Sequence, residues 1–256
     1  MDQNHAHSNL FDEKRYPMTL PSVSLCFPAY NEELTVAGVI LEADQLMSAS
    51  GYDYEIIVCD DGSQDRTGEI IDRLATELSR IRVIRHKKNT GIQSTFEELY
   101  GESSKDFVFL NSTDGQWDTR IVLEMLPMTD RWDIIVASRK RKPYTKVRLF
   151  ISWVYNTMPL ILFGVKTYDA GAVKLVRKEI INKIRLISKS PFGEAERMIR
   201  AARAGYRVTE YPVEVRARKT GHSHGVRWGL LVQSIVDIFR VWWSIIKDRN
   251  EINHVH

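Results

Sequence analysis

The sequence predicts an α/β domain built round a largely parallel sheet. Strand-like and helix-like patterns alternate at steady spacing through the first half of the 256-residue chain, the arrangement that gives parallel strands joined by crossover helices. Two of the strand patterns also end in turn-forming and acidic residues, Phe27-Pro28-Ala29-Tyr30-Asn31-Glu32-Glu33 and Cys59-Asp60-Asp61-Gly62-Ser63. An open α/β sheet binds its ligands in the crevice beyond the carboxyl ends of its strands. One strand-end Asp reads as a helix N-cap. Two such ends in order describe a nucleotide-sized pocket better than they describe packing.

Taken in order, the β-branched apolar runs 22–27 and 54–59 give the first two strands, and 81–86, 105–111 and 133–138 give three more. Helix patterns fill 32–48, 65–79, 91–102 and 119–126. Asp65 lies ahead of the second helix, and Gly91 follows a turn-like Asn89-Thr90 at the start of the third. The chain carries no repeat or low-complexity segment.

At 43% hydrophobic, the chain can bury one large core with a small appendage. Its 36 basic and 33 acidic residues leave a net charge of +3, too even to argue for nucleic acid as a partner. Cys26 and Cys59 both fall inside apolar strand patterns without metal-ligand spacing. They read as buried, reduced thiols of a cytoplasmic protein, and a disulfide scaffold is excluded. Residues 1–16 are polar, lack the apolar stretch of a secretory signal and are expected to be a disordered tail. His5, His7, His254 and His256 belong to frayed ends on this reading.

The second half changes character. Arg139, Lys140, Arg141, Lys142, Lys146 and Arg148 form a basic stretch, and the segment 149–165 that follows has no charge. Ser152, Asn156, Pro159 and Gly164 interrupt this segment, which barely reaches the lower limit for a membrane span. A surface-lying or buried helix pair is expected over 146–165. Basic side chains beside an apolar segment draw anionic headgroups at about 1 kcal/mol each; a solvated charge run beside a core helix is the alternative.

Residues 228–246 make an apolar helix with one polar stripe, Gln233, Asp237, Arg240 and Ser244. Asp237 and Arg240 argue against crossing a bilayer. Three tryptophans, Trp228, Trp242 and Trp243, suit an interface. Packing on the core or a homodimer contact is the alternative. The expected layout is a main α/β domain over 17–225, then an amphipathic helix and tail over 226–256, peripheral on a membrane.

The string PAYNEE at 28–33 followed by DDGSQDRT at 60–67 resembles the family 2 glycosyltransferases, which carry a GT-A nucleotide-sugar domain. The resemblance implies that Pro28, Tyr30 and Glu32 line the nucleotide pocket, with Asp60 and Asp61 near base and ribose. The family's Asp-x-Asp pair, followed two residues on by Gln, is matched at Ser112-Thr113-Asp114-Gly115-Gln116. Asp114 and Gln116 would therefore hold a divalent cation, Mg2+ or Mn2+. Ser112 replaces the first aspartate, which makes the expected affinity weak, although one carboxylate with the diphosphate can suffice.

Asn89 and Gly91 look like the Asn-x-Gly turn of the family as a whole, and Arg139 sits where related enzymes of the family carry Ser-Arg. Further matches are similar to the polyprenyl-phosphate branch. Arg148, Ser152 and Asn156 repeat an Arg-x3-Ser-x3-Asn pattern. Asp169-Ala170-Gly171-Ala172-Val173-Lys174 resembles a degraded Ser-Gly-Phe-Arg segment, and Phe192-Gly193-Glu194-Ala195-Glu196 a Phe-x-Asp-x-Glu helix start. Tyr211-Pro212-Val213, Arg216, Arg218, Gly221, Ser223 and His224 look like its C-terminal tail, with His224 in place of Lys. The resemblance implies inverting transfer of a sugar from a nucleotide diphosphate to a polyprenyl (undecaprenyl or dolichyl) phosphate. Asp114, Arg139, Arg148 and Arg218 would be catalytic. Arg216, Arg218, Ser223 and His224, with Lys219 and His222 close by, would contact phosphate, since arginine forks match phosphate oxygens.

Two rival readings stand beside this one. A sugar or protein hydroxyl as acceptor would need a general base, for which Glu194 and Glu196 are the candidates. A nucleotide-sugar-binding relative without catalysis would explain Ser112 and His224. A nucleotidyltransferase is disfavoured, because Pro28-Ala29-Tyr30-Asn31-Glu32 stands where a Gly-rich phosphate loop is expected.

Overall fold

The computed structural model describes residues 20–141, 146–216 and 228–253. The expected tail at 1–16, with His5 and His7, lies outside the described residues, as do Lys142, Arg218, Lys219, His222, Ser223, His224, His254 and His256.

The expected strands form as β1 (Val23–Ala29), β2 (Tyr54–Asp60), β3 (Ile81–Arg85), β4 (Phe107–Leu110) and β5 (Ile134–Val136). Their connections are α1 (Val36–Ser48), α2 (Thr67–Glu77), α3 (Ile92–Glu102) and α4 (Ile121–Met125), the last continued by a 3-10 turn, Leu126–Asp130. The chain then forms α5 (Lys146–Phe163), β6 (Lys174–Arg177), α6 (Lys178–Lys183), α7 (Gly193–Arg203), β7 (Val208–Glu210) and α8 (Trp228–Asn253). Helix α1 starts later than its apolar pattern. Asn31 adopts the left-handed region at φ 55°, and the turn it makes delays the first helical hydrogen bonds.

The seven strands line up as β3-β2-β1-β4-β6-β5-β7. β1 is parallel to both β2 and β4, and β2 to β3. The expected parallel sheet holds over this half. β6, read from sequence only as a motif, inserts antiparallel between β4 and β5. β7 adds in parallel at the edge. Both are four residues or shorter, too short for a period-2 pattern to register. Because β2 and β3 lie to one side of β1 and β4 to the other, the strand order reverses between β1 and β4. Ligands bind at such a switch point.

Burial explains why a lysine can stand in β6. Lys174 and Glu194 are 2% and 3% exposed, with Nζ 2.7 Å from Oε2. Lys174 also donates to the Ala170 carbonyl at 3.0 Å, and Tyr100 donates its hydroxyl to Glu194 at 3.1 Å. The Arg197 guanidinium stacks 4.4 Å from the Tyr100 ring centroid and pairs with Glu97. Burial opposes the charge on Glu194, yet Lys174 and Arg197 outweigh it and hold the carboxyl below its ordinary pKa. This cluster ties β6 and α7 to α3.

The expected helix pair over 146–165 is one helix. α5 runs through Pro159 and stops at Gly164, whose φ of 67° only glycine adopts freely. Asn156 spends its amide on the Ser152 carbonyl at 2.7 Å, so these polar residues serve the helix rather than break it.

Helix α8 forms where expected, but its polar stripe is divided: Asp237 is buried and Ser244 half-buried, while Gln233 and Arg240 are exposed. Asp237 is fully buried and accepts the Lys189 and Ser190 N–H groups, both at 3.0 Å. Ser234, Ile238 and Val241 are buried beside it. Val232, Ile235, Val236, Phe239 and Trp243 look outward, the last at 67% exposure. By length and composition, Gly229–Lys247 is apolar enough to cross a membrane.

Removing one partner of a buried pair leaves a charge uncompensated. Lys174→Met is therefore expected to lower unfolding free energy by about 3–5 kcal/mol, read from urea melts. Adding Glu194→Gln should restore part of the loss.

Candidate active site

The two acidic strand ends are bolted to each other. Asn31 takes Ser63 Oγ as acceptor for its N–H at 3.0 Å, and its own Oδ1 accepts the Gln64 N–H at 2.8 Å. The Glu32 N–H donates to Thr67 Oγ1 at 2.8 Å, and the Arg66 N–H donates to Glu33 at 3.1 Å. Asp65 accepts the Thr67 N–H at 2.9 Å. Pro28 and Tyr30 are half-buried on this wall. Glu32, also half-buried, accepts the Thr35 hydroxyl at 3.0 Å.

Asp60 and Asp61 point to different neighbours, as successive strand residues must. Asp60 accepts the Ser63 N–H and an Arg85 N–H, both at 2.9 Å. It closes the turn at Gly62, where a Cβ would lie 2.5 Å from the Lys88 carbonyl carbon. Each Asp60 oxygen thus has one partner within the fold, at the strand end where the resemblance puts the base and ribose. Asp61 holds the Asn89-Thr90-Gly91 turn: it accepts the Thr90 N–H at 2.8 Å, the Thr90 hydroxyl at 2.9 Å and the Gly91 N–H at 3.1 Å. His86 Nδ1 lies 2.7 Å away. Burial works against the Asp61 carboxylate, but these hydrogen bonds outweigh it and lower its pKa.

Across the switch point, Thr113 donates its hydroxyl to the Pro28 carbonyl at 2.8 Å, fixing the turn after β4 to the end of β1. Asp114 is buried there, and its Oδ1 accepts the Ser112 hydroxyl at 2.6 Å and the Gln116 N–H at 3.0 Å. Ser112 thus orients Asp114 instead of supplying a second carboxylate. Arg139, beyond β5, sets Nε 2.8 Å from Asp169 and lies 5.3 Å from the Trp117 ring centroid. Asp169 and Trp117 hold Arg139 in place here; the only sequence signal for Asp169 is its position at the head of the 169–174 stretch, and Trp117 has none.

The chain after β7 returns to the same place. Val213 bridges to Arg139 in parallel, and the Arg216 N–H donates to the Gln116 carbonyl at 2.9 Å. The Arg216 side chain pairs with Asp118. The structure therefore delivers the start of the basic tail to the Asp114 turn, while Arg218, Ser223 and His224 lie outside the described residues. Arg148 falls in the first turn of α5; its side chain lies outside the described set.

Among the described residues, Glu194 and Glu196 pair with groups other than those of this wall. Glu194 is sealed with Lys174, and Glu196 accepts the Ile187 and Ser188 N–H groups at 3.1 and 2.8 Å and pairs with Arg200 at 2.7 Å. Both have structural duties that a general base could not share freely.

A doubly wound sheet with carboxylates at its switch point and arginines opposite defines a nucleotide-sugar domain of the GT-A class. The chain belongs to the glycosyl transferase family 2, whose family model matches residues 24–189. It is 29% identical over 245 residues to the glycosyltransferase AglD of Haloferax volcanii, covering 87% of this chain and 37% of that protein. It is 28% identical to the dodecaprenyl-phosphate galacturonate synthase of Rhizobium johnstonii, covering 81% of this chain and 62% of the relative. The chain thus spans less than two thirds of either protein. Among solved structures, glucosyl-3-phosphoglycerate synthase from Mycobacterium tuberculosis, in complex with Mn2+, UDP and phosphoglyceric acid, superposes with a TM-score of 0.69. That match covers 87% of this chain and 78% of the other at 17% identity, and it shares the fold.

Because Asp61 has a lowered pKa in the folded state, its contribution is present above the unfolded value of about 3.9 and fades as pH falls through the folded value. Asp61→Asn should cost about 1.5–3 kcal/mol near pH 6. Denaturant melts at lower pH should show the gap to wild type closing towards about pH 2.

Proposed function

We propose that this chain transfers a sugar from a nucleotide diphosphate to a polyprenyl phosphate at the cytosolic face of a membrane, inverting the anomeric centre. The observation that carries this reading is the outward apolar face of α8 on a domain that also carries the strand-end carboxylate site. The acceptor of such a reaction is a lipid, and the enzyme must sit where the lipid is. Two further features support it. The relative from Rhizobium johnstonii is named for a polyprenyl-phosphate substrate, and Glu194 and Glu196 are both sequestered. A phosphate monoester is largely ionised at neutral pH, its second pKa being about 6, and attacks without a protein base. A hydroxyl acceptor would need one.

In this scheme Pro28, Tyr30, Glu32 and Asp61 border the nucleotide, with Asp60 fixing the turn. An acceptor phosphate oxygen attacks the anomeric carbon opposite the diphosphate, a carbon–oxygen bond forms as the bond to the diphosphate breaks, and inversion follows. Arg139 and Arg148 position the acceptor. Arg216, Arg218, Ser223 and His224 close over the diphosphate and match its charge. Asp114, with Ser112 and Gln116 beside it, is a hard oxygen donor set that fits Mg2+ or Mn2+. When bound, the ion neutralises charge growing on the leaving diphosphate, and a single carboxylate predicts weak affinity.

Membrane attachment is assigned to α8 and to the exposed Trp153, Leu160 and Ile161 of α5, with the basic stretch from Arg139 to Arg148 drawn to anionic headgroups. A second copy of the chain is the competing occupant of the α8 face.

A panel of UDP- and GDP-sugars with the full chain should give nucleotide diphosphate release only when undecaprenyl phosphate is supplied in detergent. Release from water or hydroxyl acceptors alone would overturn the acceptor. Phe239→Glu with Trp243→Glu should lower co-sedimentation with phosphatidylglycerol vesicles about tenfold or more, whereas unchanged binding with a lost dimer would assign the face to self-association.

A further inference from the structure

Behind the nucleotide wall lies a second set of ligand-type side chains. Cys59 is the penultimate residue of β2, His86 stands one residue beyond β3, and Glu98 is on α3. Their ligand atoms lie within 4.8 Å of one another. Sγ of Cys59 is 3.7 Å from His86 Nε2, and Glu98 Oε2 is 2.6 Å from the same nitrogen.

We propose that Cys59, His86 and Glu98 form a site for a zinc-class transition-metal ion, distinct from the cation site at Asp114. Bond lengths of about 2.0–2.3 Å in a tetrahedral zinc site place ligand atoms roughly 3.4–3.6 Å apart. The Cys59–His86 separation of 3.7 Å lies just beyond that range. Glu98 has to withdraw by less than about 1 Å on the same criterion, and its side chain is 41% exposed and able to do so.

The histidine is held as metal-ligating histidines are held. Its Nδ1 faces Asp61 at 2.7 Å, which fixes the ring and turns Nε2 towards the other two ligands; a carboxylate behind the ring also raises its basicity. Asp61 is itself pinned by Thr90 and Gly91, so the support is rigid. The local field favours a cation. The carboxylates of Glu98, Asp61 and Asp60 lie near the Cys59 thiol, and a bound ion would partly neutralise them. A sulfur, an imidazole and one carboxylate suit Zn2+ or Co2+, whereas the all-oxygen set at Asp114 suits Mg2+ or Mn2+.

Binding displaces the thiol proton of Cys59 and any proton on Nε2 to solvent, and leaves a fourth position for water. The ion would join β2, β3 and α3 and, through His86 and Asp61, brace the Thr90–Gly91 turn. It would act as a structural brace for the nucleotide wall and take no part in the transfer itself.

The test is titration of the full chain with Co2+, read by the thiolate-to-cobalt charge-transfer band. The histidines near the termini cannot produce that band, and the chain has only two cysteines. One equivalent should develop the band, Zn2+ should abolish it, and Cys26→Ala, whose thiol lies against the Leu99 carbonyl, should keep it. Cys59→Ser should remove it, and Glu98→Gln should weaken binding at least about tenfold. Glu98 is at the surface, so this variant keeps the test readable if Cys59→Ser does not fold. Zn2+ should also raise the melting temperature of the wild type more than that of Glu98→Gln. No band at excess Co2+, or a band that survives in Cys59→Ser, would overturn the site and leave His86 as a protonated bridge between Asp61 and Glu98.

Discussion

The fold depends most on the hydrogen-bonded seam between the ends of β1 and β2. Two parallel strands that stop side by side leave their next peptide groups without ladder partners, and buried backbone groups need partners. Asn31, Glu32 and Glu33 meet Ser63, Gln64, Asp65, Arg66 and Thr67 across that gap. The seam starts α1 and α2 at a fixed angle and keeps one wall of the crevice rigid. Asp61 carries the same stiffness to the third strand end, through Thr90 and Gly91. Residues that look like a ligand-binding motif are thus largely occupied in making the wall, and pre-organisation of that kind lowers the ordering cost of binding.

The second half of the chain is organised by buried charge rather than by strand and helix pattern. Lys174–Glu194, Asp133 with Arg177 and Arg207, and Asp237 with the Lys189 and Ser190 amides each fix one junction. None adds much net stability compared with an apolar replacement, since desolvation offsets most of the Coulombic gain. Each does punish a wrong arrangement, since a misplaced β6 would leave Lys174 buried without Glu194. The same logic orients α8. Its acid is needed inside as an acceptor for two amides, so Ser234, Ile238 and Val241 pack inward beside it, and a second set of apolar residues is left outside.

The outer apolar face of α8 bears on function. An apolar helix face turned to water is unfavourable unless something covers it, and the proposed lipid acceptor supplies an apolar surface of the right kind. The crevice needs no base of its own if the acceptor arrives ionised, in keeping with carboxylates on α7 that are spent on structure.

The sequence by itself determined the first five strands, the four helices between them, the family, and the placing of Asp60, Asp61, Asp114 and Arg139 at strand ends, because period and turn chemistry are local. It also marked α5 and α8 as apolar. It did not reveal β6 or β7, whose few residues carry no period and pair only with distant strands. Nor did it assign Asp60 to Arg85, Asp61 to the Thr90–Gly91 turn, Glu194 to Lys174, or His86 to a place between Asp61, Cys59 and Glu98. Which way a polar stripe faces was also undecidable from pattern alone. Those outcomes rest on partners far apart in the chain, and only the packed sheet, by bringing them within hydrogen-bond reach, decides which carboxylate meets water, ligand or buried cation.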